Sequence, residues 1–262
     1  MLPVLAVLMP FAAMAVPATD PALLQAVQNP MRTPKFVARD AARHPAEELA
    51  FFGLKPTDTV VEIWPGGGYW TEILAPYLMG QGTYYVAIPG GSDADSVREA
   101  AAYRAHIADK PAFRHLQITE LGGSHYDIAP AGSADLVLTF RNIHNWMDEG
   151  DADQVFASFY KALKPGGILG VEEHRGRTDK PQDPKADDGY VRQDYAIALA
   201  RKAGFELVGS SEIDANPKDT KDYPKGVWTL PPTFALGDKD HAKYAAIGEA
   251  DNFVLKFRKP AS

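Results

Sequence analysis

The sequence predicts an α/β fold: a seven-stranded, mostly parallel sheet with helices on both faces and an antiparallel hairpin at its C-terminal edge. Three observations lead there. Short β-branched runs alternate with helical patterns of roughly 10 to 15 residues, as βαβ units do. The first strong run, "TVVEIW", passes through three consecutive glycines into the helical pattern "YWTEILAPYLM". Two further strand patterns, "ELVGSSEI" and "NFVLKFRKP", flank a long stretch rich in Pro, Gly and Asp.

The elements follow in order. "MLPVLAVLMPFAAMAVPATD" is apolar from Leu2 to Ala15, with small residues at Ala13 and Ala15 where a signal peptidase reads. A signal peptide over residues 1–15 and a periplasmic or secreted chain are expected; a cytoplasmic protein is the alternative if the leader is not used. The apolar run falls short of the roughly 20 residues a span needs, so the mature chain is expected to have no membrane span. Residues 16–44 read as a helical extension, with "DPALLQAVQNP" and "FVARDAARHPAEELAFFGL" broken by Pro30 and Pro45. The main domain is placed at 45–262. Within it, "GTYYVAIP", "AFRHLQITEL", "SADLVLTFRNIHNW" (running into a loop) and "ILGVEEHRG" are the next strands. "DSVREAAAYRAHIAD", "DADQVFASFYKALKPGG" and "GYVRQDYAIALARKAGF" are the helices between them, the last ended by Gly204. Residues 214–250 form a loop of a length that is uncommon without a function, and they read as a lid. Its Tyr223, Trp228 and Phe234 either cover an apolar acceptor or tuck the loop onto the domain.

Right-handed crossovers bring all the parallel strands' carboxyl ends to one edge, where open α/β sheets bind ligands. Glu62 to Gly68, Pro89 to Asp95, Glu120, Arg141 to Trp146 and Glu172 to Arg175 all fall there. The 262 residues are 45% hydrophobic with a net charge of −7, which suits a globular domain. Without a cluster of basic residues, a nucleic-acid partner is not expected and a small-molecule substrate is. Zero cysteines exclude disulfides, thiolate metal sites and cysteine nucleophiles. Oligomeric state is not legible.

The glycine turn does not match the usual phosphate sites. A dinucleotide loop needs G-x-G-x-x-G, and Thr71 stands at the third position; a Walker A lysine is missing. What remains is a turn that lets backbone approach an uncharged or zwitterionic ligand, with Glu62 beside it to pair with a cation. At the fourth strand's end, His144 is a candidate general base, since an imidazole titrates near neutrality; the alternative is a loop histidine bonding backbone. Trp146 is expected to pack. Glu173 and His174 alternate in direction, so only one should line the cleft unless the strand has ended. His144, His174 and a carboxylate lack ligand spacing, and no metal is expected.

"VVEIWPGGGYWTEILAPYL" resembles motif I of class I S-adenosylmethionine-dependent methyltransferases. "SADLVLTFRNIHNW", "FYKALKPGGILGVEEHR", "AGFELV" and "FVLKFRKP" resemble later segments of that superfamily, so the likeness covers residues 45–260. W-P-G-G-G-Y, R-N-I-H-N-W and V-W-T-L-P-P resemble, more narrowly, a bacterial group of predicted methyltransferases with leader peptides. The resemblance implies a Rossmann-like sheet and methyl transfer from S-adenosylmethionine to a small-molecule acceptor by in-line displacement. It implies that Glu62, Gly66, Gly67 and Gly68 cradle the cofactor's methionine part and that Glu120 approaches the adenine amine. Arg141 and Asn142 would stand beside cofactor and substrate, with His144 and Arg141 the catalytic candidates. One position departs: the second strand ends in Ile88 and Pro89 where the family has an acid for the ribose, and Asp93 is the acid offered instead. The alternative is an exported domain of this fold that binds another small ligand without methyl transfer. Thr71 disfavours a nucleotide-dependent oxidoreductase.

Overall fold

The computed structural model describes residues 20–108 and 110–261. The leader expected over residues 1–15 lies outside them. The sheet has seven strands: β1 (Thr59–Ile63), β2 (Thr83–Pro89), β3 (Gln117–Leu121), β4 (Ala134–Phe140), β5 (Leu163–His174), β6 (Glu206–Ser211) and β7 (Asn252–Arg258). Their order is β3-β2-β1-β4-β5-β7-β6. β1 to β5 pair in parallel, and β7 runs antiparallel to both β5 and β6. The two closing strands therefore pair as expected, but the last one enters between β5 and β6 and leaves β6 at the edge.

β1 and β4 are covered by helices on both faces, which is why their sequences are continuous apolar runs rather than alternating ones. Along β1 the side chains split between two cores. Val61 and Ile63 join Trp146, Phe156 and Phe159 on one face. Val60 faces the other, with Leu74, Tyr84 and Tyr103. Glu62, two residues on, shares the face of Val60. The first core is closed by α7 (Ile143–Glu149), α8 (Ala152–Ala162) and α9 (Gln193–Lys202), the second by α4 (Pro45–Phe52), α5 (Thr71–Leu78) and α6 (Ala94–Ile107).

The sequence predicts a loop after β4, but residues 143–149 form the helix α7. Ile143, Trp146 and Met147 recur at helical spacing and are all buried, and that burial outweighs the polar residues between them. The extension ahead of the sheet forms α1 (Pro21–Val27), α2 (Pro34–Val37) and α3 (Asp40–Arg43). α1 is capped by Asp20, which accepts from the Ala22 amide at 2.9 Å, and buries Leu23 and Ala26 in the second core. Thr33 donates to Glu72 of α5 through its amide (2.6 Å) and its hydroxyl (2.7 Å). The long connection between β6 and β7 carries α10 (His241–Ile247), and its Val227, Leu230, Tyr244 and Ala250 form a small core with Tyr190 from the segment between β5 and α9. Among the described residues no helix is long and apolar enough to cross a membrane.

Candidate functional site

The glycine turn after β1 begins at Trp64, which has φ +43°, followed by Gly66 at +54° and Gly68 at +91°. A Cβ on Gly68 would lie 3.0 Å from the His106 ring, so that position has both a conformational and a spatial reason to be glycine. A bulky residue at positive φ is a rare backbone state. Trp64 is held there by its amide bond to the Ala87 carbonyl (2.8 Å) and by its indole Nε1, which donates to the Leu121 carbonyl at 3.1 Å. Leu121 ends β3 and β2 lies between, so the indole spans the carboxyl end of β2. Its ring also stands edge-on to Trp146, 5.7 Å away.

Glu62 is fully buried. Its Oε2 accepts from Thr71 Oγ1 at 2.7 Å and from the Tyr84 hydroxyl, while Oε1 is buried without a partner. Burial pushes its pKa up to about 7, against the hydrogen bonds from Tyr84 and Thr71 and the attraction of Arg43. Beside it, at the sheet's carboxyl edge, lies a cavity of about 300 Å³. The floor and walls come from Glu62, Gly66, Gly67, Phe140, Arg141, Asn142, His144 and His174; Phe36, Arg39 and Arg43 of the extension and Trp228, Pro231, Thr233 and Glu249 of the long connection roof it.

Guanidinium and carboxylate groups crowd one wall. Arg43 is buried, bonds Glu172 at 3.1 Å and lies over the rings of Tyr69 (4.2 Å) and Trp70 (5.0 Å). Arg39 meets Glu249 through two bonds, 2.6 and 2.7 Å, joining the extension to the last loop. Arg141, at φ +62°, reaches Glu249 with Nη1 at 3.2 Å, and its Nε lies 3.9 Å from Glu172. Burial and the neighbouring Arg43 hold the Arg141 pKa below its usual value, more than Glu172 and Glu249 restore.

Two imidazoles form the opposite wall. Glu173, fully buried at the end of β5, accepts from the Ile143 amide (2.6 Å), the His174 amide (2.8 Å) and His144 Nδ1 (3.0 Å). It fixes both the start of α7 and the tautomer of His144. Burial works against its charge, but its bonding to His144 and to the His174 amide outweighs this and keeps the carboxyl below its ordinary pKa. His174 Nδ1 lies 2.7 Å from Asn252 Oδ1, and Asn252 is oriented by donating to Glu172 at 3.0 Å. Burial pulls the His174 pKa down to about 3, so this ring is neutral. With both Nδ1 atoms engaged as donors, both Nε2 atoms present lone pairs. The two ring centroids are 5.6 Å apart.

The structure thus brings Glu62, Gly66, Gly67, Arg141, Asn142 and His144 to one cavity. Asn142 is also a tie between strands, donating to the Ile63 carbonyl and Thr139 Oγ1, both at 3.1 Å. Gly68, Asp93 and Glu120 lie outside the cavity lining. Asp93 caps α6, accepting from Ser96 N (2.9 Å) and Asp95 N (3.1 Å). Glu120 pairs with Arg104 at 3.2 Å and lines a separate shallow groove with Pro89, Gly90 and Gly91. As the alternation along β5 required, His174 lines the cavity and Glu173 points away beneath α7. Among the described residues no three His, Cys, Asp or Glu side chains are grouped to hold a metal ion. The sequence reading does not single out Arg39, Arg43 or Glu249, nor the parts that Trp64 and Glu173 play. Arg39 and Arg43 did carry a signal, being four residues apart in a helical segment and so on one face.

No protein-family model and no curated protein matches the chain. Solved structures do. A SAM-dependent methyltransferase from Aquifex aeolicus aligns with a TM-score of 0.55 at 14% identity, covering 92% of this chain and 100% of that one. The [4+2]-cyclase SpnF gives 0.57 at 15% identity, covering 92% and 93%. A candidate sarcosine dimethylglycine methyltransferase from Galdieria sulphuraria gives 0.58 at 13% identity, covering 94% and 92%. The chain shares the Rossmann-like fold of these proteins.

Proposed function

We propose that this protein transfers a methyl group from S-adenosylmethionine to a small-molecule acceptor. The observation that carries the reading is the unpartnered, buried Glu62 Oε1 beside a glycine turn and a cavity at the sheet's carboxyl edge. A buried carboxylate oxygen without a donor is costly, and an ammonium such as the cofactor's amino group satisfies it. The residues therefore fit the amino-acid end of the cofactor, with Glu62, Gly66 and Gly67 holding it. When bound, that group supplies a sulfonium methyl as electrophile. The chain's own part is to orient the acceptor, to take its proton at His144 Nε2 with Glu173 behind the ring, and to exclude water beneath the roof of Phe36 and Trp228.

Trp64 favours a second reading, a domain of this fold that binds another small ligand without methyl transfer. The indole lies over the end of β2, where a nucleoside extending toward Glu120 would pass, and Pro89 supplies no acid for a ribose. SpnF, a cyclase by name, has a similar fold, and fold alone does not assign chemistry. Calorimetry separates the two. The first reading expects S-adenosylmethionine and S-adenosylhomocysteine to bind, and Glu62→Gln to weaken both about tenfold or more. Absence of binding to the wild type refutes it. We also place the mature chain in the periplasm or outside the cell, on the pattern of residues 2–15. Recovery of the protein from the cytoplasm with those residues retained would contradict that.

A further inference from the structure

We propose that the acceptor is a small hydroxylated organic acid, its carboxylate held by Arg141 and its hydroxyl donating to His144 Nε2, beside the neutral ring of His174. The proposal rests on reading this cavity as the acceptor's seat, but it does not need the methyl donor to be bound.

Two walls of the cavity carry the argument. On the first, three guanidiniums (Arg39, Arg43, Arg141) face two carboxylates, Glu172 and Glu249. Among these five groups the guanidiniums outnumber the carboxylates by one. Of the acids buried nearby, Glu48 is pushed well up beside Glu172, Glu62 is raised to about 7, and Asp214 is paired with His44 at 2.9 Å. Arg39 uses Nε and Nη2 on Glu249. Arg141 uses only Nη1 in a hydrogen bond at 3.2 Å, and its left-handed backbone directs the side chain to the cavity. Arg43 also has donors to spare, bonding only Glu172, but its side chain is 3% exposed against 16% for Arg141. Arg141 is therefore the guanidinium a ligand can reach, and a carboxylate is the planar acceptor that fits it.

On the second wall, neither His144 Nε2 nor His174 Nε2 has a hydrogen-bond partner, and neither is among the atoms sealed from solvent. A ligand seated there must bring a donor, and a hydroxyl has one, which goes to His144 Nε2. An ammonium would bring more, but Arg141 lies close enough to act against protonation of His174, and would act likewise on a bound cation. A neutral hydroxyl avoids that repulsion. Trp228, edge-on to His144 at 5.9 Å, and Phe140 offer apolar surface for the carbon skeleton. The proton step balances within the site. The acceptor's O–H bond breaks with its electron pair left on oxygen, an N–H bond forms at His144 Nε2, and the imidazolium is paired with Glu173.

The test is calorimetry of the full-chain protein with 3- and 4-hydroxybenzoate, benzoate and phenol, without methyl donor. A hydroxybenzoate should bind about tenfold more tightly than benzoate and than phenol. Arg141→Gln should erase the advantage over phenol and keep that over benzoate; His144→Leu should do the reverse. Unchanged melting curves show that the variants fold, and His144→Phe serves if the leucine variant does not. Equal binding of all the probes, or none at millimolar concentration, overturns the proposal. So does an Arg141→Gln variant that loses S-adenosylhomocysteine but not hydroxybenzoate, because the guanidinium then serves the donor's carboxylate. Hydroxybenzoate binding in a protein that ignores S-adenosylhomocysteine would sink the methyl-transfer reading and leave this one standing.

Discussion

The carboxyl edge of the sheet is built in two ways. Above β1, β4 and β5 it opens into a cavity whose walls hold buried arginines, glutamates and histidines. Above β2 and β3 the same edge is crossed by the Trp64 indole, with Pro89, Gly90 and the exposed Glu120–Arg104 pair beyond it. Burying charge is costly and closing a crevice with an aromatic ring is not. The first half is therefore prepared for a ligand in a way that the second is not. A protein that placed both halves of a nucleoside cofactor equally would show preparation along the whole edge.

The largest expected effect contrasts the ion pairs of the two halves. Arg43→Met strands the buried Glu172 and should cost about 3–5 kcal/mol in urea unfolding. Arg104→Met, on the exposed pair, should cost less than about 1 kcal/mol. Equal costs would erase the distinction.

The pH dependence comes next. Glu62 titrates at about 7 in the fold, above its ordinary 4.5. Its contribution to stability is present below pH 4.5 and is lost as pH rises through about 7, a change of about 3 kcal/mol. His174, pulled from 6.5 to about 3, has the opposite sign: its contribution is present above 6.5 and is lost as pH falls through about 3. The two oppose each other between pH 4.5 and 6.5. In Glu62→Gln, unfolding curves should show stability falling on acidification below 6.5, unopposed. A profile identical to the wild type would remove the titrating carboxylate from the account.

Trp64→Gly tests the barrier between the halves. Glycine accepts the positive φ, and removing the indole lets one ligand span the edge. S-adenosylhomocysteine should then bind about tenfold more tightly by calorimetry; an unchanged affinity means that the ring is no obstacle. The smallest effect is expected at Asp93→Ala, which removes the α6 cap. A slight drop in melting temperature with unaltered ligand affinity marks Asp93 as a cap alone, whereas lost affinity marks it as the missing ribose acid.

Much of the fold was legible, for physical reasons that also mark the limit. β1, β4 and the second half of β5 are buried on both faces, so each is largely apolar, and such runs show in the chain. The insertion of β7 between β5 and β6 does not show, because a strand's pattern records its burial and not its neighbours. α7 was missed because His144 and Asn145 interrupt a helix of only seven residues. Glu62, Arg141 and His144 could be found because strand ends in a parallel sheet share one edge. Glu249 could not, since its partner Arg39 is 210 residues away and nothing local distinguishes it from a surface acid. Trp64 was read as the end of a strand; its φ and the reach of its indole are properties of the folded chain.

The clasp between Arg39 and Glu249 sets an order on biosynthesis. Arg39 leaves the ribosome early and stays in water until almost the whole chain has followed. The roof therefore closes last, and a half-made molecule has helices and strands but nowhere to receive a guest.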